Sequence, residues 1–198
     1  MHATDASRSG RGSAWDRFRG GALTQARAAG VAFRRPALRL LLASYFGYCL
    51  ARKASRVALL VLAFDLGGVR AAAAMSVAML VPAVVVAPLG SVLGDRMSPQ
   101  RALGLGYAVQ ALALLATAGF VLMGGSLPLI GAGAAVATSA FTLTRPVHQA
   151  TLPDVAETPD DLAVGNAASV WVDGVASLVG PLLAGVVLAV AGAGEVLL

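Results

Sequence analysis

Between Arg101 and Arg145 lie 43 consecutive residues without a charged side chain. A helix crossing the apolar part of a bilayer needs about 20 residues, so this stretch is long enough for two crossings. The run Gly124-Gly125-Ser126-Leu127-Pro128 interrupts it near its middle and reads as a tight turn. Uncharged runs of 24 residues (71–94) and 21 residues (174–194) each suffice for one more crossing. The remaining apolar stretch, 36–66, is long but carries Arg52, Lys53 and Arg56. Five helices are therefore expected, near 36–66, 71–93, 101–123, 127–149 and 166–191, with 192–198 as a truncated end.

Composition agrees: 58% of residues are hydrophobic, 13% are charged, and mean hydropathy is +0.77. A soluble domain carries roughly 25% charged residues, and here there is too little polar surface to clothe a water-soluble core. The same figures exclude disorder and collagen. The fold class implied is an all-α membrane protein. Frequent Ala and Gly let such helices approach closely, which lets them associate without a hydrophobic drive. The lone Cys49, inside an apolar run, rules out a disulfide framework and a Cys-based zinc site. No metal or cofactor is expected.

Eight of the fifteen basic residues precede position 40: Arg8, Arg11, Arg17, Arg19, Arg27, Arg34, Arg35 and Arg39. Residues 1–35 contain no apolar core of a secretory signal. They are expected to form a disordered cytoplasmic tail touching anionic lipid, each nearby Arg contributing about 1 kcal/mol. Trp15 and Phe18 alone supply too little aromatic interleaving for nucleic acid, which is not expected as a partner. With the N-terminus inside, the cytoplasmic side receives the tail arginines together with Arg96 and Arg101, while the other side receives Arg70 and the uncharged turn at Gly124. That bias places the N-terminus in the cytoplasm of a multi-pass protein of the cell inner membrane. A loop at 153–165, holding Asp154, Glu157, Asp160 and Asp161, is expected on the same side.

Between the second and third expected helices stands Pro88-Leu89-Gly90-Ser91-Val92-Leu93-Gly94-Asp95-Arg96, followed by Arg101. Gly90 and Gly94, four apart, share a helix face where another backbone can come near. Asp95 suits a positive helix N-terminus. This run resembles the loop signature Gly-x-Leu-Ala-Asp-Arg-x-Gly-Arg-Arg of the major facilitator superfamily. Ser91 stands for its leading glycine and Gly94 for its alanine. Further pieces resemble the exporter-like members in order and spacing over about 36–190: Phe64-Asp65-Leu66-Gly67-Gly68, Thr142-Leu143-Thr144-Arg145-Pro146, Asn166-Ala167-Ala168, and Gly180-Pro181-Leu182-Leu183-Ala184-Gly185. The last is similar to the antiporter signature Gly-Pro-x-x-Gly-Gly. The nearest resemblance is to members that append a cyclic-nucleotide-binding domain, a unit not found within these 198 residues.

The resemblance implies the N-terminal half-bundle of a secondary transporter that moves a small solute by alternating access, as an exporter. Gly90, Gly94, Asp95, Arg96 and Arg101 would form a conformational latch. The family uses two halves of six helices, so the five expected here form an incomplete N-terminal portion. It would need the missing C-terminal half, in the same chain or another, besides the lipid bilayer and a small-molecule solute as partners. A non-transporting membrane scaffold or sensor is the alternative. No catalytic residue is expected. An intramembrane hydrolase would need a Ser and a base in contact, and Ser91 and Ser126 have no credible partner.

Ionisable residues inside spans are expensive and mark function. Arg52 and Arg56, one turn apart, continue a stripe from Tyr45 and Tyr48. They read either as a cavity face for an anionic or polar solute or as side chains snorkelling to the interface. Asp173 reads as a proton-coupled carboxylate or as a fixed partner of Arg52 or Arg56, the pair being favoured because an unanswered buried charge is costly. Arg145 and His148, three apart, are expected on one face. Arg145 reads as a substrate or coupling residue or as a helix-end anchor, and His148 as a helix-end hydrogen bonder.

Overall fold

The computed structural model describes residues 36–94 and 97–198, with backbone alone for 89–94. The expected basic tail and the Asp95-Arg96 pair lie outside these described residues. Four long helices and one short one make up the chain: α1 (Pro36–Gly94), α2 (Pro99–Leu122), α3 (Leu127–Val155), α4 (Pro159–Val190) and α5 (Ala193–Val196). No strand occurs among the described residues. All four long helices are long and apolar enough to cross a membrane.

The apolar stretch of α1 is 53 residues long (Pro36–Pro88), or about 80 Å at 1.5 Å per residue, far more than one bilayer. It does not run straight. Gly67 (φ −157°, ψ 21°) and Gly68 (φ 66°, ψ −157°) leave helical geometry. The conformation at Gly68 is one that essentially only glycine adopts without strain. The chain reverses there into two arms, 36–66 and 69–94. Ala58, Leu59 and Ala63 of the first arm share a buried cluster with Ala71, Met75 and Met79 of the second. Five helical segments thus run alternately up and down.

Each later helix starts where the sequence supplies both an N-terminal residue and a proline. Ser98 precedes Pro99, Ser126 precedes Leu127-Pro128, and Thr158 precedes Pro159. Proline fits the first turn, where its missing N–H costs nothing. α2 ends on Gly124 with φ 68°. There the Gly124 and Gly125 amides donate to the Val121 and Phe120 carbonyls at 3.1 and 2.7 Å. This is the paired-bond helix ending that glycine favours.

One expectation is corrected. The loop at 153–165 is almost entirely helical: α3 runs to Val155 and α4 begins at Pro159. The Thr158 hydroxyl accepts from the Asp161 amide at 3.1 Å and the Asp161 carboxylate accepts from the Thr158 amide at 3.1 Å. That reciprocal cap, with Asp160 and Asp161 in the positive first turn, starts the helix seven residues early. Residues 192–198 carry the short helix α5. Leu197 is buried against Ala118, Ile130 and Ala134, and Gly194 is buried beside Leu122.

α3 packs along both α1 and α2, and α4 packs along α1, while α3 and α4 barely meet. At one end Leu38, Leu41, Leu103 and Leu152 cluster, with Leu162 against them. The outward faces are largely apolar, with Leu40, Val84, Val85, Leu112, Leu178, Leu182 and Val186 exposed. Such a surface fits lipid rather than water. Prolines stand inside three of the helices: Pro82 and Pro88 in α1, Pro146 and Pro153 in α3, and Pro181 in α4.

The reversal yields a test. Gly68→Ala should lower the unfolding free energy in detergent by about 1–3 kcal/mol. Gly47→Ala, at an exposed helical site with open space around it, should lower it not at all. Chemical or thermal unfolding followed by circular dichroism measures both.

Candidate substrate cavity

Three helical segments enclose a cavity of about 330 Å³. The first arm of α1 contributes Tyr48, Arg52, Ser55, Arg56 and Leu59, the second arm Ser76, Met79 and Ala83, and α3 Ala134, Thr138, Phe141, Thr142 and Arg145. The spacing explains the convergence. Residues three, four and seven apart share a helix face, and each segment supplies such a series. The Tyr48 hydroxyl donates to the Phe141 carbonyl at 2.7 Å, tying the first arm to α3. The wall is amphipathic: Leu59, Leu60, Met79 and Leu80 line part of it, and three arginines and several hydroxyls line the rest.

Arg52 and Asp173 form an ion pair at 2.9 Å, with side chains 30% and 28% exposed, and Lys53 stands 3.8 Å from the same carboxylate oxygen. Asp173 thus sits with Arg52 and Lys53 and not with Arg56. The Arg52 guanidinium also lies 5.7 Å from the Tyr48 ring centre, a favourable cation–aromatic placement. Arg56 and Arg145 are both exposed towards the cavity. Among the described residues no acid lies within ion-pair distance of either. The cavity side of this pair therefore carries two unanswered positive charges.

Arg145 and His148, expected on one face, part company. Three residues turn a helix by about 300°, so their side chains diverge by about 60°. Arg145 enters the cavity, whereas His148 is fully buried, stacked 3.9 Å from the Tyr45 ring with its Nε2 3.3 Å from Ser169 Oγ of α4. Tyr45 leaves the cavity stripe for that stack, while Tyr48 stays in it. His148 is a bond across helices, not at a helix end.

Of the Gly-Pro run in α4, Gly180 makes the close contact. A Cβ there would meet the Lys53 Cβ at 2.7 Å and the Ala54 amide nitrogen at 3.4 Å, while Gly185 faces open space. Gly90 and Gly94 end α1, and Arg101 lies exposed in the first turn of α2. The beginning of α2 meets the end of α3, where Gln100 donates to Asp154 at 3.4 Å. A second concavity of about 390 Å³ between the second arm, α2 and α3 is lined almost wholly by apolar residues such as Val86, Leu105, Val109 and Leu143. It is lined by no charged side chain among the described residues, and its Ser139 and Thr144 hydroxyls donate to carbonyls of their own helix at 2.8 and 2.9 Å. No cluster of His, Cys, Asp or Glu that could hold a metal ion occurs among the described residues.

Sequence reasoning passed over Lys53 as a second partner of Asp173, and Ser76, Thr138 and Thr142 as lining residues. A signal existed for the threonines: Thr138, Thr142 and Arg145 recur at helical spacing on an otherwise apolar helix.

Two outcomes follow from this geometry. Asp173→Asn should lower stability by about 2 kcal/mol, and a double-mutant cycle with Arg52→Gln should return a coupling of about 1 kcal/mol or more. Gly180→Val should cost about 1–3 kcal/mol by forcing α4 off α1, with Gly185→Val close to neutral. Melting of the purified single and double variants in detergent reads all of these. Family models, curated proteins and solved structures contain no match to this chain.

Proposed function

We propose that these residues form the substrate-binding face of a secondary transporter of the major facilitator type. It is seated multi-pass in the cell membrane with its N-terminus in the cytoplasm and exports a small solute by alternating access. The observation that carries this reading is the cavity itself. Arg52, Arg56 and Arg145 come from two separate segments and meet in one concavity inside a bundle whose outer faces are apolar. Charges so placed are costly unless a pathway or a ligand uses them. Secondary transporters bind solute near mid-membrane between helical repeats and rock one against the other.

Further support comes from the arrangement of the helix ends. The end of α1, the start of α2, the end of α3 and the start of α4 belong to one end of the bundle, as the resemblance requires of the latch side. Arg56 and Arg145 are exposed in the cavity, so its remaining wall is open. The resemblance puts a second helical bundle there, in this chain or another. No covalent chemistry is part of the proposal; binding shifts a two-state equilibrium.

Thiol accessibility tests the reading without knowledge of the solute. In a Cys49→Ser background, Ser76→Cys places a single thiol on the cavity wall. A membrane-impermeant maleimide should label it in intact cells and also in inverted vesicles, because the cavity opens to each side in turn. Arg101→Cys should react in inverted vesicles alone. Labelling of the cavity thiol from one side only would remove alternating access, and labelling of position 101 from outside would reverse the orientation.

A further inference from the structure

Which solute the cavity takes follows from how its charges are answered. Three arginines line it. One of them, Arg52, is engaged by Asp173 at 2.9 Å, and Lys53 shares that carboxylate at 3.8 Å. Asp173 itself does not line the cavity; it reaches Arg52 from α4, on the far side of α1. Among the described residues no carboxylate lines the cavity wall. Arg56 and Arg145 therefore face the same space with no internal counter-charge among the described residues.

Their hydrogen-bonding surroundings point the same way. Ser55, Ser76, Thr138 and Thr142 all place hydroxyls near the cavity, but each already donates its proton to a carbonyl of its own helix, at 3.4, 2.9, 2.8 and 3.0 Å. Arg56 and Arg145 are then the cavity's principal free donors, and a guanidinium has five N–H groups and no acceptor. A cation would be repelled. A neutral polar solute would leave two arginines unanswered in surroundings of low polarity. An anion answers both, and paired N–H donors suit carboxylate and phosphate oxygens in particular. The wall also includes Leu59, Leu60, Met79 and Leu80, which suit an apolar body. The volume, about 330 Å³, lies at the small end of the range for ligand pockets.

We propose that the solute is a small organic anion, a carboxylate or phosphate ester with an apolar end, its charged group held between Arg56 and Arg145. Arg52 takes the smaller share, because its Nη2 is already bonded to Asp173. This rests on reading the cavity as the solute site, but its test is a binding measurement that does not depend on alternating access. Failure here would leave the thiol-labelling result standing, and the reverse also holds.

The purified full chain in a neutral maltoside detergent is titrated with phenyl phosphate, with benzyl alcohol and benzyltrimethylammonium as neutral and cationic counterparts. Saturable calorimetric binding of phenyl phosphate alone is the expected result. Arg56→Gln and Arg145→Gln should each weaken it at least tenfold. Arg56→Lys and Arg145→Lys, which keep the charge and guard against a folding defect, should lose less than the glutamine variants. Arg70→Gln, at the chain reversal and away from the cavity, should bind as the parent does. Equal binding of all three probes, or binding that survives the double variant Arg56→Gln/Arg145→Gln, would overturn the proposal. A lipid headgroup offers the same phosphate chemistry, so the titration is repeated in nanodiscs of phosphatidylcholine with and without phosphatidylglycerol. Phenyl phosphate binding that is retained in both supports a free solute. Stabilisation by phosphatidylglycerol with no phenyl phosphate binding in either assigns the arginines to lipid and overturns it.

Discussion

A carboxylate placed among apolar helices must be answered, and Asp173 is answered by Arg52 and Lys53. Much of the layout follows from that single requirement. α4 makes little contact with α3, so its position is set against the first arm of α1. The ion pair fixes that contact near its middle, and Gly180, lying against Lys53 and Ala54, lets the two backbones close up two turns further on. Asp173 engages Arg52 from α4 and does not itself line the cavity, so Tyr48 and Arg56, one turn to either side of Arg52 on the same face, remain available to it. The same residue both holds a helix in place and sets which cations stay available.

Most of the architecture was legible in the sequence because apolar length and charge position are coarse signals. Uncharged runs and the Gly124 turn indicated five segments, although α3 runs six residues past its expected end and α4 begins seven before its expected start. What escaped was the junction at 156–158. Pro153 and four nearby acids look like loop composition, yet Asp160 and Asp161 favour the positive first turn of α4. The Thr158-Pro159-Asp160-Asp161 run was itself a readable cap, outweighed at that point by its polarity. The return of Leu197 into a buried cluster had no local signal at all, since it depends on what the neighbouring helices leave uncovered.

The site was legible in its charges and obscure in its directions. Arg52, Arg56, Arg145 and Asp173 stand out because ionisable residues in apolar runs are rare, and the pairing of Arg52 with Asp173 follows from electrostatic economy. Side-chain direction is a finer matter. A divergence of about 60° separates Arg145, facing the cavity, from His148, sealed against Tyr45 and Ser169. No rule of spacing decides where a helix contact ends and a cavity begins; the packing of neighbouring helices does. Likewise nothing in the spacing of Gly180 and Gly185 tells which of them meets α1.

The prolines of the long helices have a mechanical consequence. Lacking an N–H, Pro82, Pro146 and Pro181 each leave the carbonyl four residues earlier without its usual helical donor. Pro146 follows Arg145 directly, Pro82 adjoins Ala83 of the cavity wall, and Pro181 adjoins the Gly180 contact. Missing rungs are where a helix yields most readily, and Pro82 and Pro146 stand in two of the segments that line the basic chamber, while Pro181 stands in the helix packed behind the first arm. A force that widens or narrows the chamber is absorbed there as bending, while the stretches above and below keep their shape.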